Sequence, residues 1–139
     1  LEYDLTQVLA LGFAATADPE FHRTMTAAAR HFMDVDRVHS PAAPFASHGM
    51  THPPVARHFS FERGGPDPAH VWTEGLVSYF HLTGDERARD AIGGIAAWLL
   101  HNPPAAGAAL KPRQWGWPLI ALTAAWEATG DIELRRALR

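Results

Sequence analysis

The chain has 139 residues, 47% of them hydrophobic, which suffices for the core of one globular domain. Its formal net charge is −3 and its Lys and Arg residues form no run or helical stripe, so nucleic-acid binding is not predicted. Cysteine is absent, which excludes disulfides and thiolate sites, and no apolar run approaches the roughly 18 residues of a membrane span.

Three helix pairs are predicted along the chain, at about residues 3–36, 70–100 and 114–139. Apolar residues recur at every third or fourth position, as at Phe21, Met25, Ala28 and Phe32, and this spacing is typical of amphipathic helices. Strand patterns are weak, so an all-α domain is predicted. Because the chain opens without Met and stops within a helix-like stretch, we expect residues 1–139 to be a segment of one domain in a longer protein with further domains.

A short turn that begins with threonine divides each helix pair. In two of the turns a glycine suits the left-handed conformation that often ends a helix, and in all three an aspartate can cap the next helix. We therefore predict antiparallel helical hairpins whose aspartates have a structural role and no catalytic one. The three turns are Thr16-Ala17-Asp18-Pro19, Thr83-Gly84-Asp85-Glu86 and Thr129-Gly130-Asp131-Ile132.

The segment 40–69 is too rich in Pro and Gly to be a helix, and a loop of this length inside a domain is usually functional or disordered. Its aromatic residues, histidines and Arg57 favour an ordered, functional loop. At least one histidine in or beside the loop is predicted to bind a ligand or to act in catalysis, although any one of them could make only structural hydrogen bonds. These histidines are His39, His48, His52, His58 and His70.

Metal binding is not predicted for these histidines. His48 and His52 are four residues apart, but they lie in a Pro-rich loop and lack the geometry of a ligand pair on a helix. The remaining histidines follow no recognisable zinc spacing. A nucleotide-binding glycine motif is also absent, so the sequence predicts neither a metal nor a cofactor.

Polar and aromatic residues are concentrated where the second and third helix pairs begin. His70 and Glu74 are predicted to lie one turn apart on one helix face, where Glu74 could orient His70 as a general base or bind sugar hydroxyls. The alternative is a simple packing pair. Trp72, Trp115 and Trp117 could offer flat faces to sugar rings, although tryptophan is equally a core residue.

Two arginines lie in the long connections of the chain, Arg57 in segment 40–69 and Arg113 at the end of the Pro-rich segment 101–113. Each could clamp a carboxylate through two parallel hydrogen bonds, or could be a solvated surface residue. Trp98 and Trp126 lie within predicted helices and are predicted to belong to the core.

Several blocks of the chain resemble the rhamnogalacturonan exolyase/YetA-like family: Arg30–His39, His70–Leu76 with the turn Thr83–Asp85, and Gly116–Leu119 with the turn Thr129–Asp131. The resemblance extends over most of the chain but only part of such a protein, in which β-sandwich domains are joined to a C-terminal α/α toroid. It implies that this chain supplies antiparallel helical hairpins of an α/α toroid, a partial (α/α)6-type barrel. It also implies β-elimination on a uronic-acid polysaccharide such as rhamnogalacturonan, a reaction of pectin degradation that needs no cofactor.

The residues and the resemblance together predict a polysaccharide lyase whose partner is an acidic carbohydrate. The candidates for base or acid are His52, His58 and His70, and Arg57 is predicted to neutralise the sugar carboxylate. The predicted sugar-binding residues are His39, His48, Trp72, Glu74, Arg113, Trp115 and Trp117. A glycoside hydrolase on the same scaffold stays open and would need two facing carboxylates, Glu74 with Asp34 or Asp36. A non-catalytic helical-repeat binding module, which would use the His-rich loop for recognition, also stays open.

Overall fold

The computed structural model of the chain describes residues 3–39, 68–103 and 112–139. Within these ranges 80% of the residues are helical and no strand occurs, which confirms the all-α class. The described elements are, in chain order, α1 (Leu5–Thr16), α2 (Pro19–Asp34), the 3-10 turn Pro68–His70, α3 (Glu74–Thr83), α4 (Glu86–His101), α5 (Pro112–Thr129) and α6 (Ile132–Ala137). None of these helices is long and apolar enough to cross a membrane.

The three hairpin turns share one hydrogen-bond pattern, which confirms the capping role predicted for their aspartates. In each turn the threonine hydroxyl donates to the carbonyl four residues earlier and accepts the N–H of the aspartate, whose carboxylate accepts the N–H two residues further on. Gly84 and Gly130 have φ values of 70° and 68°, the left-handed region that glycine adopts without a Cβ penalty. Ala17 takes the same conformation, with φ 56°. The side-chain bonds therefore define the turn even where glycine is absent.

Two helices begin at other residues than predicted. Helix α3 begins at Glu74, because the preceding segment Val71–Thr73 is buried in a non-helical conformation. The Thr73 hydroxyl makes no cap bond to α3 and instead donates to the carbonyl of Ala121 in α5 at 2.9 Å. Helix α5 begins two residues earlier than predicted, at Pro112, because the fixed φ of proline suits the first helical position.

Helices α1 and α2 form an antiparallel hairpin on one side of the core. Near their turn Phe21 contacts Gly12, and at the open end Phe32 lies beside Leu5. Helices α3 and α4 form the next hairpin, and α5 and α6 the third, each joined by a two-residue turn. The core between the hairpins contains many small side chains, which allow the helix backbones to approach closely; it includes Met25, Ala29, Tyr79, Ala88, Ile92, Ile95, Trp98, Ala121 and Ala125. Trp126 packs against this core and is partly buried.

The first helices of the three hairpins run in the same direction, with α3 in the middle. Asp4 bonds to Gly75, and one turn further along both helices Ser78 bonds to Gln7 at 2.6 Å. The segment that leads into α3 also runs parallel to α5. His70 contacts Arg113 at the start of α5, and Thr73, further along the chain, bonds to Ala121 further along α5. The starts of all three helices therefore lie toward one end of the molecule, and this end contains the candidate site.

Candidate functional site

Four of the predicted site residues meet where α3 and α5 begin. The 3-10 turn ends at His70, whose Nε2 lies 3.1 Å from an Nη of Arg113 in the first turn of α5. The His70 and Trp72 rings meet edge to face with their centroids 6.2 Å apart, and Trp72 and Trp117 do the same, also at 6.2 Å. We refer to His70, Trp72, Arg113 and Trp117 as the His–Arg cluster. Because Arg113 belongs to α5, the prediction that it lies in a loop is wrong.

The contact between His70 and Arg113 pairs an imidazole with a guanidinium group. A guanidinium group can only donate hydrogen bonds, so Arg113 donates to Nε2 of His70 in this contact. A neutral imidazole can act as a general base once its lone pair is released. The planar guanidinium of Arg113 can bind a carboxylate through two parallel hydrogen bonds. The cluster therefore places an imidazole and a guanidinium group at hydrogen-bond distance from each other.

The tryptophans of the cluster do not all suit sugar binding. Trp72 is only 6% exposed and its neighbours Val71 and Thr73 are buried with it, so its ring packs inside the protein and cannot act as the open sugar platform that was predicted. Its indole N–H is buried without an acceptor among the described residues. Trp115 is 42% exposed and Trp117 is partly buried. The exposed faces available for a sugar ring are therefore those of α5.

Glu74 does not share a helix with His70, so the prediction that the two residues lie one turn apart on one helix face is wrong. The reason is a tertiary contact. The Thr73 hydroxyl donates a hydrogen bond to the carbonyl of Ala121 in α5, and α3 begins only at the next residue, Glu74. Burial raises the pKa of Glu74, and the nearby carboxylates of Asp4 and Glu127 raise it further. The two charged groups that raise the pKa of Glu74 are therefore both carboxylates, Glu127 in α5 and Asp4 just before α1.

Glu74 and Glu127 line a groove of about 510 Å³ between the three parallel helices. Helix α1 contributes Gln7, α3 contributes Glu74, Val77 and Ser78, and the α5 wall consists of Leu119, Ile120, Thr123, Ala124 and Glu127. We call this feature the acidic groove. Its apolar walls are aliphatic, and the two ionisable residues among the described ones that line it are both carboxylic acids.

For a hydrolase the sequence predicted that Glu74 pairs with Asp34 or Asp36, whereas the structure places Glu74 in one groove with Glu127. Asp34 is ion-paired with Arg87 at the start of α4, and an Oδ of Asp36 lies 3.5 Å from Nε2 of His31. Glu74 instead shares the acidic groove with Glu127, which the sequence reasoning missed. One signal could have revealed it, because Glu127 is the only charged residue between positions 114 and 130.

Replacing Glu127 with glutamine is expected to lower the pKa of Glu74, because one of the carboxylates that raise it becomes neutral. In the wild type the raised pKa means that the folded state holds the Glu74 proton more tightly than the unfolded state does. The contribution of Glu74 to stability is thus complete below the ordinary pKa of 4.5 and is lost as the pH rises through the raised value. Because the pKa of Glu74 is less raised in Glu127→Gln, the free energy of unfolding of this variant should fall less than that of the wild type over the same pH range.

The measurement is a carboxyl NMR titration of Glu74 combined with urea unfolding across the same pH range. Glu133→Gln is the matched control, because it removes an equal charge from exposed helix α6. An unchanged Glu74 titration in Glu127→Gln would contradict the assigned coupling.

The other predicted residues are not brought into the cluster. His39 lies beside the end of α2, where its Nε2 donates to the carbonyl of Met33 at 2.7 Å. His48, His52, Arg57 and His58 lie outside the described residues, so the roles predicted for them stay predictions. In the described ranges no three His, Asp or Glu side chains are grouped closely enough to hold a metal ion.

Comparisons of the chain with protein-family models, with curated proteins and with solved structures found no significant match.

Proposed function

We propose that this chain is a segment of an α/α toroid in a carbohydrate-active enzyme that cleaves a uronic-acid polysaccharide, of the rhamnogalacturonan type, by β-elimination. The serial hairpins support the scaffold part of the proposal, because in a ring of hairpins each first helix lies beside the next in the same direction, as α1, α3 and α5 do. The substrate is proposed because the sequence resembles the rhamnogalacturonan exolyase/YetA-like family.

The observation that carries the reaction is the hydrogen bond between Arg113 and His70. In this proposal the uronate carboxylate replaces His70 as the acceptor of Arg113, and the lone pair on Nε2 becomes free. The imidazole then takes the proton on the carbon α to the carboxylate, while the guanidinium stabilises the negative charge that develops on the carboxylate oxygens. Binding of the correct anion would thus activate the base.

The remaining steps balance without a cofactor. The electron pair left on the α-carbon forms a double bond to the β-carbon, and the bond from the β-carbon to the glycosidic oxygen breaks. That oxygen leaves with a proton from the imidazolium or from water. Trp115 and Trp117 would flank the sugar ring, and the histidines and Arg57 of segment 40–69 remain further candidates for the acid and for a second cation.

The test follows the absorbance of the unsaturated uronyl product when the protein is incubated with rhamnogalacturonan, both as this chain and as any longer protein that contains it. Arg113→Ala is expected to reduce kcat/KM about tenfold or more, because a carboxylate–guanidinium pair is lost in the transition state. Arg113→Lys should restore only part of the activity, since an ammonium group cannot bind the carboxylate bidentately. Binding of a uronic-acid oligosaccharide, measured by calorimetry, should weaken in parallel.

Arg135→Ala is the matched control, because it removes the same side chain from α6. Equal losses in the two variants would contradict a specific role for Arg113. Oligosaccharide binding without either absorbance or new reducing ends would eliminate the lyase and favour a non-catalytic binding module.

A glycoside hydrolase is the second candidate, and the pair Glu74 and Glu127 in one groove is the observation that favours it. Burial raises the pKa of Glu74, as expected of a general acid, and Glu127 could act as base or nucleophile. New reducing ends without the uronyl absorbance, lost in Glu74→Gln, would identify this activity and overturn the lyase.

A further inference from the structure

The first helices of the three hairpins align without a gap when the threonines of their turns are matched. The aligned segments are Leu5–Thr16, Trp72–Thr83 and Pro118–Thr129. A leucine then occupies the fifth position of every segment, and an aromatic residue occupies the ninth; these residues are Leu9, Leu76 and Leu122, and Phe13, Phe80 and Trp126. The alignment therefore identifies equivalent positions in α1, α3 and α5.

Neighbouring first helices contact each other at the same two aligned positions, the second of one segment and the fourth of the next. Thr6 of α1 lies against Gly75 of α3, where a Cβ atom would come within 2.7 Å of Cβ of Thr6. Thr73, at the equivalent position before α3, donates its hydroxyl hydrogen bond to the carbonyl of Ala121 in α5. All four residues are buried. The structure thus contains this contact twice.

The same two positions are exposed and apolar at the two ends of this row of helices. The second position of the α5 segment is Leu119, which is 47% exposed, and the fourth position of α1 is Val8, which is 63% exposed. Leu11, almost one turn beyond Val8, is 59% exposed, whereas its equivalent Ser78 in α3 bonds to Gln7 of α1. Each end of the row therefore exposes the residues that would contact a further first helix.

The composition of α1 also indicates that its outer side is covered. None of its residues, Leu5–Thr16, is charged, and a helix without charged residues is typical of a buried position. The charged residues of the hairpin are concentrated in α2 instead. The chain itself contains a matching surface, because α5 exposes Leu119 at the position that contacts the next first helix. A contact between Leu119 and Val8 would remove apolar surface from water at both ends of the row.

We propose that a second copy of the chain docks head to tail on the first, with its α5 parallel to α1 and its Leu119 against Val8. This contact continues the register of the two pairs within the chain. It joins two different surfaces and is therefore heterologous, and such an interface closes into a ring where the rotation between the copies permits it. The inference rests on the register of the repeat and does not depend on the lyase reaction.

Sedimentation velocity of the wild-type chain should reveal association that increases with concentration. Val8→Lys and Leu119→Lys should each weaken this association at least about tenfold, because docking would remove water from the new charge. An equimolar mixture of the two variants should form a dimer. In this dimer the unaltered α5 of the Val8 variant meets the unaltered α1 of the Leu119 variant, and the remaining ends carry the lysines.

Leu82→Lys is the matched control, because it replaces an exposed leucine of α3, whose neighbours on both sides are present in the chain. It should associate as the wild type does. Urea unfolding checks that every variant folds, and Val8→Ser and Leu119→Ser repeat the comparison without a new charge.

Three results would overturn the proposal. A mixture of the Val8 and Leu119 variants that stays monomeric would contradict the head-to-tail arrangement. Association lost in Val8→Lys but kept in Leu119→Lys would indicate a contact between two α1 helices instead. A wild-type chain that is monomeric at every concentration would exclude the second copy and assign the exposed ends to further hairpins of a longer polypeptide.

Discussion

Gly75→Ala is expected to destabilise the protein by about 3 kcal/mol. A Cβ atom at position 75 would lie 2.5 Å from the backbone nitrogen of Gln7 and 2.7 Å from Cβ of Thr6, and it would overlap the carboxylate of Asp4. Because one of these obstacles is backbone, a rotamer change cannot relieve the overlap. Helices α1 and α3 would have to move apart, which would break the hydrogen bonds that align them.

Gly93→Ala provides the matched control for this substitution. Gly93 also lies in a helix, but a Cβ there would meet nothing within 4 Å. This variant should be more stable than the wild type by about 0.5–1 kcal/mol, because alanine replaces glycine in a helix interior. Urea unfolding midpoints measure both variants. Equal midpoints would contradict the close approach of α1 and α3.

Asp4→Ala is expected to cost about 3 kcal/mol, because one carboxylate holds the starts of two helices. Its Oδ1 accepts the N–H of Gln7 at 3.0 Å and its Oδ2 accepts the N–H of Gly75 at 2.7 Å. Alanine would leave both N–H groups without this acceptor. Burial raises the pKa of Asp4 despite these bonds, so the ionised group is partly desolvated and its removal returns some of the lost free energy.

Asp18→Ala is the control for Asp4→Ala. Asp18 also caps a helix, but among the described residues its carboxylate accepts one N–H, that of Glu20, and it is exposed, so its loss should cost about 1 kcal/mol. Asp4→Asn should fall between the two, because an amide keeps one acceptor oxygen and presents a donor to the second N–H. Thermal and urea unfolding compare the three variants. Equal losses in Asp4→Ala and Asp18→Ala would contradict the double role of Asp4.

Both predictions concern the junction where α3 begins, and the same junction connects the two candidate sites. Residues 70–75 contact α5 through His70 and Thr73 and contact the start of α1 through Gly75. The same segment contributes His70 and Trp72 to the His–Arg cluster and Glu74 to the acidic groove. A displacement of α3 would therefore alter both sites. A loss of activity in a Gly75 variant should accordingly be compared with its loss of stability.

The helical class and the turns could be predicted from the sequence because their interactions are local. Each Thr-x-Asp turn is closed by hydrogen bonds between residues at most four positions apart, so the residue types alone specify it. Apolar spacing within single helices likewise depends only on the helical repeat. The same reasoning placed Trp98 in the core, where the structure has it.

The candidate site depends on contacts between distant parts of the chain, and local patterns cannot predict these. The spacing of His70 and Glu74 matches one helical turn, yet the bond from Thr73 to Ala121 keeps residues 71–73 out of the helix. Burial of Trp72 beside Trp117 similarly turns a predicted sugar platform into a packing residue. Each of these outcomes depends on how α5 lies against α3.

The sequence by itself thus determined an all-α chain of capped helical hairpins, because capping and periodicity act within a few residues. Only the tertiary structure decided which polar groups meet. It brings Arg113 to His70, Glu127 into the groove of Glu74, and Asp4 to the start of α3. These pairings follow from the parallel packing of α1, α3 and α5, and packing of this kind is set by the shapes of whole helix faces rather than by any single motif.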